Sequence, residues 1–490
     1  MKNIFKYIYV LMAVLLLASC DGFLDVNTDP NNPTSVSPNL ILPVAQKYTA
    51  NVIQCTDGGG RRMNHVGNLM MYNWSQTDGF SWYTDESKYL VTSSFYQYIF
   101  ENSYSNSLKQ YNLLTELDPM YDYYKAIGQI MKAYHFQLLV DFYGDVPYSE
   151  ALLRGGNPAP KYDDAQGIYN DLIVQLTAAI STINNAPANV VTVGNDDIMF
   201  DGDMMEWKKF ANTVKLRILT RQMSMAGRDA YIQAEFDAIV AEGSGFITSD
   251  VGVNPGYLEA DEGKQNPLWN MMGTDASGTV TMNNNATCAT DYILTYLQGT
   301  NDPRLNFIYE EPEDGHKGVP QGLLVYPDDY TFEYVSNIGP GILKSGAMDA
   351  IIYTLAESYL NQAEAAARSF ISGSAKSLYE AGVQASFDYL GAGSASSYYG
   401  QAIPNVGWGI GDDIETIITQ KWIAVNGITA EQSWFDYNRT GYPAGLPISL
   451  QASTPDRPVR LAYPSSEISA NGGNVPSQPD VFSTKVFWGN

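Results

Sequence analysis

One pattern recurs along this chain and limits what it can become. Apolar residues fall three and four apart, over segments long enough for several helical turns. Between Tyr121 and Phe142 they sit at Tyr124, Ile127, Met131, Tyr134 and Leu138, one face of a helix. Gly144 and Pro147 then stop it. Asp163-Asp164-Ala165-Gln166 offers a capping box for a helix running to about Ile183. Glu206 to Met225, Met348 to Phe370, Lys376 to Leu390 and Asp412 to Asn426 read the same way. Strand signals are few and short, at Leu324–Tyr326 and Thr331–Val335. The expected fold class is therefore mostly α, with a few short strands. Long Gly/Asn/Tyr loops at 54–95, 243–286 and 391–411 separate the helices, and loops of that length usually carry function. No charge run or low-complexity block marks an internal boundary, so 39–490 reads as one domain.

The N-terminus stands apart from that pattern. Lys2 and Lys6 precede an apolar stretch from Ile8 to Ala18, about a dozen residues where a membrane-spanning helix needs roughly 20. It ends in Leu17-Ala18-Ser19-Cys20, the pattern read by lipoprotein signal peptidase. The expectation is a signal peptide over 1–19 and a mature chain that begins at a lipidated Cys20. Two or three acyl chains there make membrane anchoring stable. Residues 20–38, rich in Asn, Pro and Ser, read as an extended tether. Asp25, Asn27 and Asp29 resemble the start of an EF-hand loop, but Pro30 stands where Gly is required and Val36 where the bidentate Glu belongs. Calcium is therefore not expected there, and no metal or cofactor is expected elsewhere.

Charge narrows the partners. Loss of Lys2 and Lys6 with the signal peptide moves the formal charge from −25 to −27. Such a surface argues against nucleic acid, whose phosphates need Lys and Arg, and against docking on anionic lipid. Only Cys55 and Cys288 follow Cys20, too few for a disulfide framework, and whether they pair is open. The chain holds 35 Tyr and 8 Trp against 28 Lys plus Arg, a bias towards carbohydrate recognition because aromatic faces stack on sugar rings.

No catalytic motif is present: no Gly-x-Ser-x-Gly, no His-Glu-x-x-His, no phosphate-binding loop, no Cys-x-x-Cys. His65, His135 and His316 are scattered, and His135 reads as structural. Among 53 acids no pair is singled out as a glycosidase couple. Arg217, Arg221 and Arg368 are expected to pair with acids such as Glu357, Glu364 or Asp141, and Trp422 and Trp434 to be core. Ligand contact is better sought in the loops. The segment 70–86 sets Trp74, Trp82 and Tyr83 among Asn73, Gln76 and Asp78. A second candidate, 261–272, offers Asn266 and Trp269.

Several stretches together carry a family resemblance: CDGFLDVNTDPNNPT after the signal, AYHFQLLVDFYGDVPYSEAL (133–152), PKYDDAQGIYNDLIVQLTAAI (160–180), WKKFANTVKLRILTRQ (207–222), TLAESYLNQAEAAAR (354–368), QKWIAVNGITAEQSWFDYNRTGYP (420–443) and RLAYPSSEISANGGNV (460–475). In order, they resemble the SusD-like (SusD/RagB) nutrient-binding outer-membrane lipoproteins of Bacteroidota. The resemblance implies a tetratricopeptide-like scaffold of paired helices bearing a loop-rich ligand face, although no 34-residue period is visible in the sequence itself. It also implies a non-enzymatic lid on a SusC-like TonB-dependent outer-membrane transporter, facing outward and taking up starch or other glycans. Asp21 and Asp25 are similar to signals that send such lipoproteins to the outer leaflet. A peptide or other nutrient as ligand, and a surface glycan-degrading enzyme, stay open as alternatives. The family's sugar-contacting residues vary, so none is carried over.

Overall fold

A computed structural model describes residues 36–56 and 60–489. The signal peptide, Cys20, the EF-hand-like stretch up to residue 35 and nearly all of the tether lie outside the described residues. Helices carry the architecture: α1 (Pro38–Ile53), α2 (Met63–Met70), α3 (Lys109–Thr115), α4 (Asp122–Tyr143), α5 (Ala165–Asn184), α6 (Met204–Gln222), α7 (Asp229–Glu242), α8 (Leu355–Ala367), α9 (Ala375–Leu390), α10 (Asp413–Ala424) and α11 (Glu431–Thr440). Neighbours in sequence pack side by side, α3 on α4, α4 on α5, α5 on α6 and α8 on α9, and α8 then joins the halves by also packing on α6 and α10. This is a mostly α, tetratricopeptide-like arrangement of helix pairs. One continuous apolar core runs from Ile41 to Trp488. Among the described residues, no helix is long and apolar enough to cross a membrane.

Local chemistry explains the helix ends, and two of them differ from expectation. α4 buries Tyr124, Ile127, Met131, Tyr134 and Leu138 and stops at Gly144, whose φ of 73° suits glycine. α5 is capped by Asp164, which accepts from Gly167 N at 2.7 Å, so Gly167 holds the third helical position and Gln166 closes no capping box. The expected helix over 348–370 divides. Ala350–Tyr353 pairs antiparallel with Val251–Val253, and Thr354 caps α8 by accepting from Glu357 N at 3.1 Å. The run Ile351-Ile352-Tyr353 favours a strand, and the threonine supplies a new start. The expected strands at 324–326 and 331–335 are turns: Leu324 and Val325 are exposed and Pro327 follows them. Among the described residues the sheets that form are four antiparallel pairs, β1 (Cys55–Thr56) with β2 (Gly60–Arg61), β3 (Trp74–Gln76) with β7 (Thr287–Ala289), β4 (Val146–Pro147) with β5 (Tyr162–Asp163), and β6 (Val251–Val253) with β8 (Ala350–Tyr353).

The core holds charges as well as hydrocarbon. Arg217 makes a bidentate pair with Glu357 (2.7 and 2.8 Å). Arg221 lies 3.4 Å from Asp141 and 2.7 Å from Asp436. Arg439 grips Glu364 through two bonds of 2.7 Å, Arg368 adds a third at 2.9 Å, and Lys421 reaches Asp436 at 2.6 Å. The expected pairings of Arg217, Arg221 and Arg368 are all present. Trp422, Trp434 and His135 are fully buried, with His135 Nε2 sharing a hydrogen bond of 2.8 Å with Thr49 Oγ1. Cys55 and Cys288 are not joined: Cys55 Sγ donates to the Pro267 carbonyl at 2.6 Å, and Cys288 packs with Val319 and Val335.

Glu431 adds a pH dependence to this core. Burial pushes its carboxyl up to about 7, and one oxygen has no hydrogen-bond partner. The folded protein then holds one proton more than the unfolded chain between the ordinary glutamate value and about 7. Stability from this group is full below that window and falls as pH rises through it, by at most about 3 kcal/mol. Glu431→Gln is expected to flatten the profile of thermal midpoint against pH from 5 to 8 and to be the more stable form at pH 8. Parallel profiles for the two proteins would contradict this.

Candidate functional site

The aromatic loop 70–86 is fastened to the scaffold before it reaches the surface. α2 carries an asparagine ladder. Asn64 Nδ2 donates to the Gln54 side chain (3.0 Å) and the Gly427 carbonyl (2.9 Å), while its Oδ1 accepts from Ala430 N (3.1 Å). Asn68 Oδ1 accepts from Gly427 N (3.0 Å) and from Asn73 Nδ2 (3.1 Å). Between them Gly67 meets the start of α11 so closely that an added Cβ would lie 2.1 Å from Glu431 N.

Beyond the ladder the expected ligand residues part company. Trp74, on β3, is 1% exposed and packs edge-on to His65 at 5.4 Å. Tyr83 is also buried against His65, at 5.2 Å, and shares a hydrogen bond of 2.5 Å with Thr287 Oγ1. Burial, then Arg61, push His65 well below its ordinary value, so this ring is a neutral spacer. Asn73 is buried in the ladder, and Asn266 is a buried helix cap accepting from Leu268 N (2.8 Å) and Trp269 N (3.0 Å). Gln76 is a clamp: it donates to the Phe80 carbonyl (2.5 Å) and accepts from Trp82 N (2.5 Å) and Tyr83 N (3.0 Å). Asp78 accepts from Gly79 N at 2.8 Å in a turn where Gly79 has φ 87°. Of the residues expected to meet ligand, Trp74, Tyr83, Asn73 and Asn266 lie buried inside the fold.

Trp82 is different. It is half-buried and lines an open cleft of about 590 Å³ with Arg61, Arg62, Glu86, Tyr96 and Tyr98. The Phe80 ring meets it edge-on at 5.1 Å, and its carbonyl accepts from Arg61 Nη1 at 2.9 Å. Glu86 is held by Arg61 (3.1 Å) and Tyr96 OH (2.9 Å), while burial keeps its carboxyl above the ordinary value. Tyr98 is exposed, with the Arg62 guanidinium 5.3 Å from its ring centre. Tyr96 has φ 51°, a left-handed backbone that costs a bulky residue about 1 kcal/mol or more. Its hydroxyl bond to Glu86 and its contact with Phe95 at 4.8 Å hold it there. The cleft thus presents fixed aromatic surfaces beside charged and hydroxyl groups. Trp269 lines a different cavity of about 320 Å³, with Phe332, Asn337 and Glu310. Arg61, Arg62, Tyr96 and Tyr98 also line the cleft and are not among the residues expected to meet ligand. The run Phe95-Tyr96-Gln97-Tyr98 has the same aromatic and polar mixture as 70–86 and was the available signal.

Comparison with known proteins agrees with this architecture. The SusD-like family, described as starch-binding and associating with the outer membrane, matches residues 30–464. The chain is similar to the solved structure of a chitin-binding protein at 25% identity, TM-score 0.72, covering 93% of this chain and all of that one. It is similar to a chitin-binding SusD homologue from Flavobacterium johnsoniae at 22% identity, TM-score 0.75, covering 91% and 98%. A SusD homologue from Bacteroides uniformis follows at 24%, TM-score 0.71, covering 92% and 99%. No curated protein sequence matches the chain.

Proposed function

We propose, since the chain belongs to the SusD-like family of starch-binding proteins that associate with the outer membrane, that it captures glycans in the Trp82 cleft and delivers them uncleaved to a TonB-dependent outer-membrane barrel of the SusC type. Anchoring is through acyl chains on Cys20, with the folded chain outside the cell on the 20–38 tether and residues 39–490 acting as one nutrient-binding domain.

The observation that carries this reading is the cleft itself. Trp82 and Tyr98 offer ring surface at the mouth, and Arg61, Glu86 and Tyr96 form a braced polar wall. Stacking on an aromatic platform contributes about 1 kcal/mol, and polar groups held in place lose little entropy on binding. The chitin-binding relatives and the family's starch-binding description favour a neutral polysaccharide over a peptide.

The test is calorimetric titration of the full chain with maltoheptaose and chitohexaose, with the sugars analysed afterwards for cleavage. Saturable heat with intact sugar is expected, and Trp82→Ala is expected to weaken it about tenfold. Unchanged affinity in that variant would remove Trp82 from the site, and shortened sugars would overturn the binding-protein reading. Separately, Cys20→Ala is expected to leave the membrane fraction; retention after a carbonate wash would contradict the anchor.

A further inference from the structure

A second cavity, of about 370 Å³, opens between α3, α4 and α5 and shares no lining residue with the Trp82 cleft. Asn112, Ala151 and Leu152 also line a more apolar neighbour of about 670 Å³, so the two hollows meet. Two polar groups in the smaller one are unusual. Gln129 and Lys132 stand one helical turn apart on α4, both facing the hollow. The Gln129 side-chain oxygen is buried with no hydrogen-bond partner. Lys132 Nζ donates to Asn112 Oδ1 at 2.6 Å, and among the described residues no carboxylate pairs with it directly. Asn112 in turn donates to Glu116 at 2.8 Å, which places that acid one amide away. An ammonium held by an amide and a buried acceptor without a partner together suit a ligand with an anion and a donor. Thr115, Ser149 and Gln175 add further polar groups to the wall, beside an aromatic pair in which Phe136 meets Tyr148 edge-on at 4.7 Å, with Tyr148 fixed by its hydroxyl bond of 2.5 Å to Asp171.

We propose that this cavity binds a uronate unit of an acidic glycan, its carboxylate on Lys132, a ring hydroxyl donating to Gln129 and the ring lying against Phe136 and Tyr148. On a chain of formal charge −25 an anion site must be local and contact-driven, which suits a pocket with its cation recessed. The protein would then hold a neutral chain in one cleft and an acidic residue in another, as a branched or mixed polysaccharide would require.

Titration of the full chain with methyl glucuronide, methyl glucoside and sodium acetate tests it. Methyl glucuronide is expected to bind, methyl glucoside and acetate about tenfold or more weakly. Saturating maltoheptaose is expected not to displace the glucuronide. Lys132→Met and Gln129→Glu should each reduce glucuronide binding about tenfold or more, with unchanged circular dichroism. Should Lys132→Met fail to fold, Gln129→Glu decides. No glucuronide binding, equal binding of the neutral glucoside, acetate binding as tight as the glucuronide, displacement by maltoheptaose, or full affinity in the folded variants would each overturn the assignment.

Discussion

Replacing Asp436 by Ala is expected to cost on the order of 3–5 kcal/mol of folding free energy and to leave little soluble protein. The carboxylate stands at the centre of the buried charges, with Lys421 at 2.6 Å, Arg221 at 2.7 Å and Arg439 at 3.0 Å. Burial alone would raise its carboxyl, but Lys421, Arg221 and Arg439 outweigh it and hold the group well below the ordinary range. Four basic side chains (Arg217, Arg221, Lys421, Arg439) face four acids (Asp141, Glu357, Glu364, Asp436), so removing one acid strands a charge that water cannot reach. Urea unfolding of the variant measures the loss. A companion pair separates charge balance from packing. Glu364→Met alone is expected to be severe, whereas Glu364→Met with Arg439→Met removes one charge of each sign and should cost less than the sum of the singles. Additive losses would contradict the balance.

Gly67→Ala is the second large effect, expected above about 3 kcal/mol. The new methyl would lie 2.1 Å from Glu431 N and 2.4 Å from the Ala430 carbonyl carbon. Both are backbone, so no rotamer change relieves the overlap, and α2 must move away from α11. That movement breaks the Asn64 and Asn68 bonds to residues 427–430 and loosens the loop that leads to Trp82. Thermal denaturation should show a lower midpoint, and glycan titration of whatever folds should show weaker binding. A folded variant with unchanged affinity would mean the cleft does not depend on that close approach.

The sequence displayed these features unequally. Helix α4 was readable because its apolar face, its glycine stop and its length all agree, and the pairings of Arg217 and Arg221 followed from basic residues set within apolar helices. The division at Thr354 was hidden, since Ile351 to Phe370 satisfies helical spacing and only pairing with Val251–Val253, a hundred residues earlier, makes Ala350–Tyr353 a strand. Aromatic clustering singles out the loop at 70–86 without telling which of its rings faces out. Trp74 and Trp82 have similar neighbours in sequence, yet Trp74 is set inside by pairing with Ala289 and Trp82 is turned out by the Gln76 clamp. Tyr96 and Tyr98 belong to the cleft through the fold of the 84–98 segment, which local composition does not encode.

The balanced core also sets an order in time. Asp141 and Arg221 emerge early from a ribosome or a translocation channel, but Asp436, Arg439 and Gln432, which complete their shell, arrive in the last eighth of the chain. Until then Arg221 has only Asp141, at 3.4 Å, as its acid partner. The buried charge set is therefore complete only when the last eighth of the chain is in place.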